Sequence, residues 1–155
     1  MYHHIIAPLD GSPLAECVLP HVETAAAGCQ DPKVTLVCVV EPLHIRGGLE
    51  TRLNSEERQR LEEEDINAAR SYLDQLVNQL KGKGIKRAQA EVLFGNVIDQ
   101  LVDYINKNNA DLIVIASHGR SGISRWVWGS VADKILRSAC VPVLIVRAPG
   151  CVGGF

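Results

Sequence analysis

His4-Ile5-Ile6-Ala7-Pro8-Leu9-Asp10-Gly11-Ser12-Pro13 is the stretch whose reading decides the fold. The first five residues form a short apolar segment. Gly11, Ser12 and Pro13 then mark a helix start, with Ser12 as its cap and Pro13 at its first position. Leu14, Ala15, Val18, Leu19, Val22, Ala25 and Ala26 recur at helical spacing as far as Gly28. Lys33 to Glu41 follows as a continuous apolar run, the signature of a strand buried on both faces of a parallel sheet. Strand, turn, helix and doubly buried strand make a βαβ unit.

The same alternation continues to the carboxyl end. Pro42 to Leu53 has no clear period and contains Gly47-Gly48; a loop of that size points to a functional segment. Asn54 or Ser55 caps the next helix. It carries an acidic run at Glu62-Glu63-Glu64-Asp65 and an apolar stripe of Ile66, Ala69, Leu73, Leu76 and Leu80, and Gly82 and Gly84 stop it. The acidic run reads as a solvated helix face. Arg87 to Phe94 alternates like an edge strand. Val97, Ile98, Leu101, Val102 and Ile105 form a third helical stripe, and Asp111 to Ala116 a second doubly buried strand. Val131, Ala132, Ile135, Leu136 and Ala139 form a fourth stripe. Val141 to Val146 closes the pattern, with Pro142 arguing for a strand start or an edge.

These elements define an α/β protein with a five-stranded parallel sheet and helices on both faces, because each crossover is long enough to be right-handed. Strand order 3-2-1-4-5 places the most apolar strands centrally. It puts the reversal of strand order between the first and fourth strands, where ligands bind outside the carboxyl ends. The loops there are Pro8-Leu9-Asp10-Gly11-Ser12 and Ala116-Ser117-His118-Gly119. One domain spans residues 1–147, and residues 148–155 read as a flexible tail.

Composition narrows the function. The chain has 155 residues, 46% hydrophobic and 22% charged, with a formal net charge of −2. That balance excludes disorder as the main state and offers no electrostatic footprint for nucleic acid or anionic membrane. Apolar runs such as Val34 to Val40 fall far short of the roughly 20 residues a membrane span needs. No basic segment followed by an apolar one opens the chain, so export is not expected. Cys17, Cys29, Cys38, Cys140 and Cys151 are an odd set without a Cys-x-x-Cys pair. Cys17, Cys38 and Cys140 sit in apolar patterns and are expected as small buried residues in a reducing, cytoplasmic setting.

The fourth loop has the composition of an anion trap. Ser117-His118-Gly119-Arg120-Ser121-Gly122 leads, through nine residues after Gly119, to Gly129-Ser130 at the start of the fourth helix. Glycines let a ligand approach the main chain, and the free N–H groups of a helix start favour phosphate. Ser130 adds a hydroxyl, and Arg120 and Arg125 add charge. The same glycines also serve as plain turn residues, and Ser130 as a plain cap. Asp10 has two readings: a carboxylate for a ribose or for a magnesium ion beside phosphates, or an Asx-turn. His118 reads better as a residue ordering its loop than as a general base, since no nucleophile with a carboxylate partner is identifiable. Trp126 and Trp128 read as packing residues. There is no Gly-x-x-x-x-Gly-Lys, no Gly-x-Gly-x-x-Gly after the first strand, and no aspartate at Phe94-Gly95-Asn96 for a phosphorelay receiver.

Ile6-Ala7-Pro8-Leu9-Asp10-Gly11-Ser12, Ala116 to Gly122, Gly129-Ser130-Val131-Ala132 and Cys140-Val141-Pro142-Val143-Leu144-Ile145-Val146-Arg147 together resemble the universal stress protein family, over about residues 2–147. Its ATP-binding members carry Gly, two residues, Gly, nine residues, then Gly-Ser or Gly-Thr. Gly119 and Gly129-Ser130 match the last two elements, and Ala116 stands where the first glycine would be. That leaves ATP, ADP and AMP open as the adenine nucleotide. The resemblance implies a Rossmann-like nucleotide site. Pro8 and Leu9 would line the adenine pocket, and the Val39 backbone would meet the adenine edge. Asp10 would contact ribose or a phosphate-bound Mg²⁺ or Mn²⁺. Ser12, Ala116, His118, Gly119, Arg120, Gly122, Gly129, Ser130 and Val131 would complete the site. It also implies a homodimer through Val141 to Val146 and a role as a stress-response sensor or regulator. Two alternatives stay open: a slow ATPase or phosphotransferase using His118 and Asp10, and an interaction module that works without nucleotide.

Overall fold

Residues 4–8 form β1 (His4–Pro8), the middle strand of a five-stranded sheet and buried along its whole length. The structure is a computed structural model that describes residues 1–43, 53–117 and 130–147. After β1 come α1 (Leu19–Ala27), β2 (Lys33–Val40), α2 (Ser55–Gly82), β3 (Ala88–Phe94), α3 (Val97–Lys107), β4 (Leu112–Ala116), α4 (Ser130–Ser138) and β5 (Val143–Val146). The spatial order is β3-β2-β1-β4-β5 and every pairing is parallel, as the alternation of the sequence requires.

The sheet separates two apolar layers. Ile5, Ala7, Val34, Leu36 and Val114 face α1 and α2, where they meet Val18, Val22, Leu73, Val77 and Leu80. Ile6, Val37, Ile113 and Ile115 face α3 and α4, against Leu101, Ile105, Ala132 and Ile135. Neighbouring residues of one strand point to opposite layers, so β1, β2 and β4 must be apolar almost throughout, and His4 and Thr35 are the buried polar residues among them. Each fully buried Ile or Leu contributes about 1.5–3 kcal/mol through removal of its surface from water.

Local chemistry sets the helix ends. Asn54 caps α2: its side-chain oxygen accepts from the Glu57 N–H at 2.8 Å, while the Glu57 carboxylate accepts from the Asn54 N–H at 3.1 Å. Gly84, at φ +96°, turns the chain out of that helix. Asn96 caps α3 by accepting from the Ile98 and Asp99 amides.

The first helix departs from the expected continuous one. It opens as a 3₁₀ segment, Ala15–Val18, before α1 begins. Pro20 lacks the N–H that an unbroken α-helix would direct at the Glu16 carbonyl, and the Leu19 N–H bonds that carbonyl instead. Ser12 does cap this entry, its hydroxyl accepting from the Ala15 N–H at 3.3 Å. β5 starts at Val143, two residues later than expected, because Pro142 cannot donate to a ladder; its carbonyl still accepts from the Ile113 N–H at 3.0 Å. Of the cysteines expected inside, Cys38 is buried, Cys17 is half-buried and Cys140 is exposed, because Cys140 lies beyond the last buried turn of α4. The tail at residues 148–155, with Cys151, lies outside the described residues.

Replacing Ile113 with Ala should cost about 2–5 kcal/mol, a buried large-to-small change. Leu136→Ala, at a side chain 47% exposed, should cost well under half of that. Urea denaturation of both variants checks the ranking.

Candidate functional site

The pairing of β1 opens the crevice. In a parallel strand, alternate residues bond to alternate neighbours. The Lys33 N–H donates to the His3 carbonyl and the Leu9 N–H to the Val37 carbonyl at 2.8 Å, so odd positions serve β2. The Asp111 N–H donates to the His4 carbonyl, so even positions serve the β4 side. Position 8 is even, and Pro8 has no N–H to give. The β1–β4 ladder accordingly registers only Ile5 with Leu112 and Ile6 with Ile113, whereas β1 stays paired to β2 as far as Pro8 and Val37. On the far side, β4 stays paired to β5 through Ala116 and Val146, and the Ser117 N–H donates to the Val146 carbonyl at 2.7 Å. At the reversal of strand order the end of β1 is thus held to β2 and the end of β4 to β5. The gap is at the carboxyl ends of the strands, where topology places a ligand.

Asp10 stands at the tip of β1. Its Oδ1 accepts from the Ser12 N–H at 2.9 Å and from the Ser12 hydroxyl at 2.5 Å, the Asx-turn of the second reading. A turn anchored this way holds the carboxylate in place at the crevice, so the structural role and a binding role are compatible. Leu9 is buried beneath it at 4% exposure, in the same apolar layer as Ala15 and Val18. Val39 lies near the end of β2, packed against the opposite layer. Ala116 and Ser117 are buried at the end of β4. Ser130 is exposed as the first residue of α4, with Val131 half-buried beside it. The described residues therefore bring Pro8, Leu9, Asp10, Ser12 and Ala116 to the carboxyl edge, with the start of α4 also reached from β4. His118, Gly119, Arg120, Gly122, Arg125, Trp126, Trp128 and Gly129 lie outside the described residues, as do residues 44–52 of the Pro42–Leu53 loop.

A pair of residues that spacing did not reveal supports this loop from below. The Tyr72 hydroxyl of α2 donates to Glu16 Oε1 at 2.9 Å. Burial first, then that hydrogen bond and the negative charges of Glu16 and Asp10, hold the phenol well above its ordinary range, so it stays neutral and keeps donating. No motif links residues 56 positions apart; only the packing of α2 on the sheet joins them.

The opposite end of the sheet has different chemistry. A groove of about 460 Å³ lies there, lined by Glu23, Cys29, Lys83 and Lys86 among others. The carboxyl ends of α1 and α2 border it, and helix carboxyl ends repel anions. Among the described residues there is no group of three His, Cys, Asp or Glu side chains placed to hold a metal ion, and no helix long and apolar enough to cross a membrane.

A doubly wound parallel sheet with an Asx-held carboxylate at the tip of β1, on the edge where strand order reverses, defines a class of α/β domains. Comparison with known sequences places the chain within that class. The universal stress protein family profile matches residues 1–147, and the chain belongs to that family. It is 31% identical over 147 residues to universal stress protein A homolog 1 of Coxiella burnetii, covering 94% of this chain and 96% of that one. Among solved structures, that of protein MJ0577 of Methanocaldococcus jannaschii superposes with a TM-score of 0.83 at 23% identity, covering 97% of this chain and 99% of the other. A universal stress family protein of Arabidopsis thaliana with AMP bound (TM-score 0.67, 14% identity, 96% and 93% covered) shares the fold. So does the universal stress protein of Archaeoglobus fulgidus in complex with dAMP (TM-score 0.60, 22% identity, 94% and 97% covered).

Asp10→Ala removes the acceptor of both Ser12 hydrogen bonds and should destabilise the chain by about 1 kcal/mol. Asp10→Asn keeps a side-chain oxygen and should recover most of the loss. Guanidinium unfolding midpoints of the two variants measure it.

Proposed function

We propose that this chain binds an adenine nucleotide in the crevice between β1 and β4 and acts through the bound nucleotide as a stress-linked regulator. One observation carries the reading: the β1–β4 ladder stops at Ile6 and Ile113, directly below a loop that presents Asp10, at the edge where β4 leads toward the start of α4. Pro8 and Leu9 form the apolar lip that suits a base, and Val39 lies at the end of the adjacent strand. Asp10 faces the sugar or phosphates, and Ser130 with the first amides of α4 suits an anion. The binding of AMP and dAMP by relatives of the same fold supports an adenylate rather than another anion.

The donor set fits a cation that arrives with the nucleotide. Asp10 is a single carboxylate with one oxygen already engaged by Ser12. Mg²⁺ is characteristically held by one or two carboxylates together with substrate phosphates. Asp10 would therefore steady Mg²⁺ or Mn²⁺ on phosphate oxygens, and the ion would neutralise phosphate charge. Binding ranks ahead of hydrolysis as the function, because no described residue pairs a base with a positioned nucleophile. We place the protein in the cytoplasm.

β5 is the edge strand, and Leu144 on it is 40% exposed. An apolar edge invites a further strand, and we assign that edge to a second copy of this chain, paired across a two-fold axis. Sedimentation should show a dimer for the wild type and a shift to monomer for Leu144→Asp.

A thermal-shift titration with ATP, ADP, AMP and GTP in the presence of Mg²⁺ tests the nucleotide. Saturation at one hundred times the dissociation constant stabilises by about 2.7 kcal/mol. Adenine nucleotides should raise the melting temperature and GTP should not. No shift with any adenine nucleotide overturns the proposal, and phosphate release above that of His118→Ala would move the protein to the ATPase reading.

A further inference from the structure

The amino end of the sheet holds a polar network that the nucleotide reading does not use. His4 is only 5% exposed, and Thr35 beside it on β2 is fully buried. The His4 ring makes a contact on each side: Nδ1 lies 2.9 Å from the Asn108 carbonyl, and Nε2 lies 2.8 Å from Thr35 Oγ1. A carbonyl only accepts, so Nδ1 carries the proton; Nε2 is then bare and accepts from the Thr35 hydroxyl. Main-chain bonds surround the ring. Asp111 accepts from the His3 and His4 amides at 2.7 and 2.9 Å, and its own N–H donates to the His4 carbonyl. One imidazole thus joins β1, β2 and the connection from α3 to β4.

We propose that His4 is an acid-responsive latch: a proton taken up at Nε2 reverses the Thr35 hydrogen bond, places a charge between β1 and β2, and loosens the amino end of the sheet. A ring with hydrogen on both nitrogens makes the buried Thr35 hydroxyl give up its role as donor and turn its own hydrogen elsewhere. Tyr104 on α3 is a polar neighbour of Thr35 and of Gln89 on β3, and burial, then the negative charge of Glu91, holds its phenol above the ordinary range. The charged groups around the ring oppose one another. Lys33 on β2 and Arg87 before β3 disfavour the imidazolium, and Asp111 before β4 favours it. Burial is the largest influence, and it holds the ring below the ordinary histidine range, with the Asn108 carbonyl opposing it.

The sign of the pH dependence follows. The unfolded chain takes up the His4 proton near the ordinary value of about 6.5, and the folded chain takes it up only at lower pH. Stability from this group is complete above that window. It falls as pH drops through about 6.5, by up to about tenfold in the folding equilibrium per pH unit, and levels off once the folded ring is protonated.

Long-range ¹⁵N–¹H spectra of the unmodified protein between pH 8 and 5 test the latch directly. The expected result is a neutral Nδ1–H ring at pH 7.5 that titrates below the ordinary histidine range. Hydrogen exchange should show the Lys33 and Asp111 amides losing protection at pH 5, after correction for intrinsic rates, before the Leu9 amide does. Urea titrations at pH 7.5 and 5.5 should show His4→Gln with a smaller loss than wild type. An Nε2–H tautomer, a ring already charged at pH 7, equal loss of protection at Leu9, or an unchanged pH slope in His4→Gln would each overturn the proposal.

Discussion

A missing hydrogen on one nitrogen shapes the carboxyl end of this protein. β1 is the central strand, and its even positions are committed to β4. A residue with an amide at position 8 would carry that ladder one step further toward the loops. Pro8 withholds the donor, the register ends at Ile6 and Ile113, and the end of each strand stays bonded to its outer neighbour. Topology alone says that ligands favour a reversal of strand order. The proline turns that tendency into an early end of the β1–β4 ladder, with each strand still bonded on its outer side. Leu9 N–H to Val37 and Ser117 N–H to Val146 are those outer holds. Because both partners are main chain, the gap does not depend on which side chains line it.

Much of the architecture was legible in the residues. Strands buried on both faces have to be apolar almost throughout, and only β1, β2 and β4 approach that demand, with His4 and Thr35 hydrogen-bonded to each other, so the order of the sheet follows from hydropathy. The helix boundaries were legible where a side chain caps them, as at Asn54. They were misplaced where a residue acts through an absence. Pro20 breaks the α-helical ladder inside a stretch that otherwise has helical periodicity, and Pro142 shortens β5 from its start. Periodicity records which face a residue shows to the core, and it carries no record of a lost N–H. Cys140 illustrates a related limit: its apolar neighbours suggested burial, yet it lies past the end of α4, where chain direction rather than composition decides exposure.

The candidate site was legible to a different degree on its two sides. Pro8, Leu9, Asp10 and Ser12 are contiguous, and their turn chemistry is local, so an Asx-turn at the tip of β1 could be read directly. The Tyr72–Glu16 bond behind that turn could not, because it joins α2 to the 3₁₀ segment across the fold. The His4 network has the same character. Four residues from four different elements, His4, Thr35, Tyr104 and Gln89, meet only because the strands are in register and α3 lies across them. Histidine in an apolar strand signals little by itself; its meaning comes from Asn108 and Thr35 on either side of the ring.

The two ends of β1 therefore follow opposite rules. At the amino end, every polar group on His4 and the His3 amide has a partner, and the strand is fastened to β2 and to the residue preceding β4 at once. At the carboxyl end, a donor is missing and the strand is fastened to β2 alone. Four residues separate His4 from Leu9, all of them in the buried strand β1, so the fastening and the unpaired end share one element.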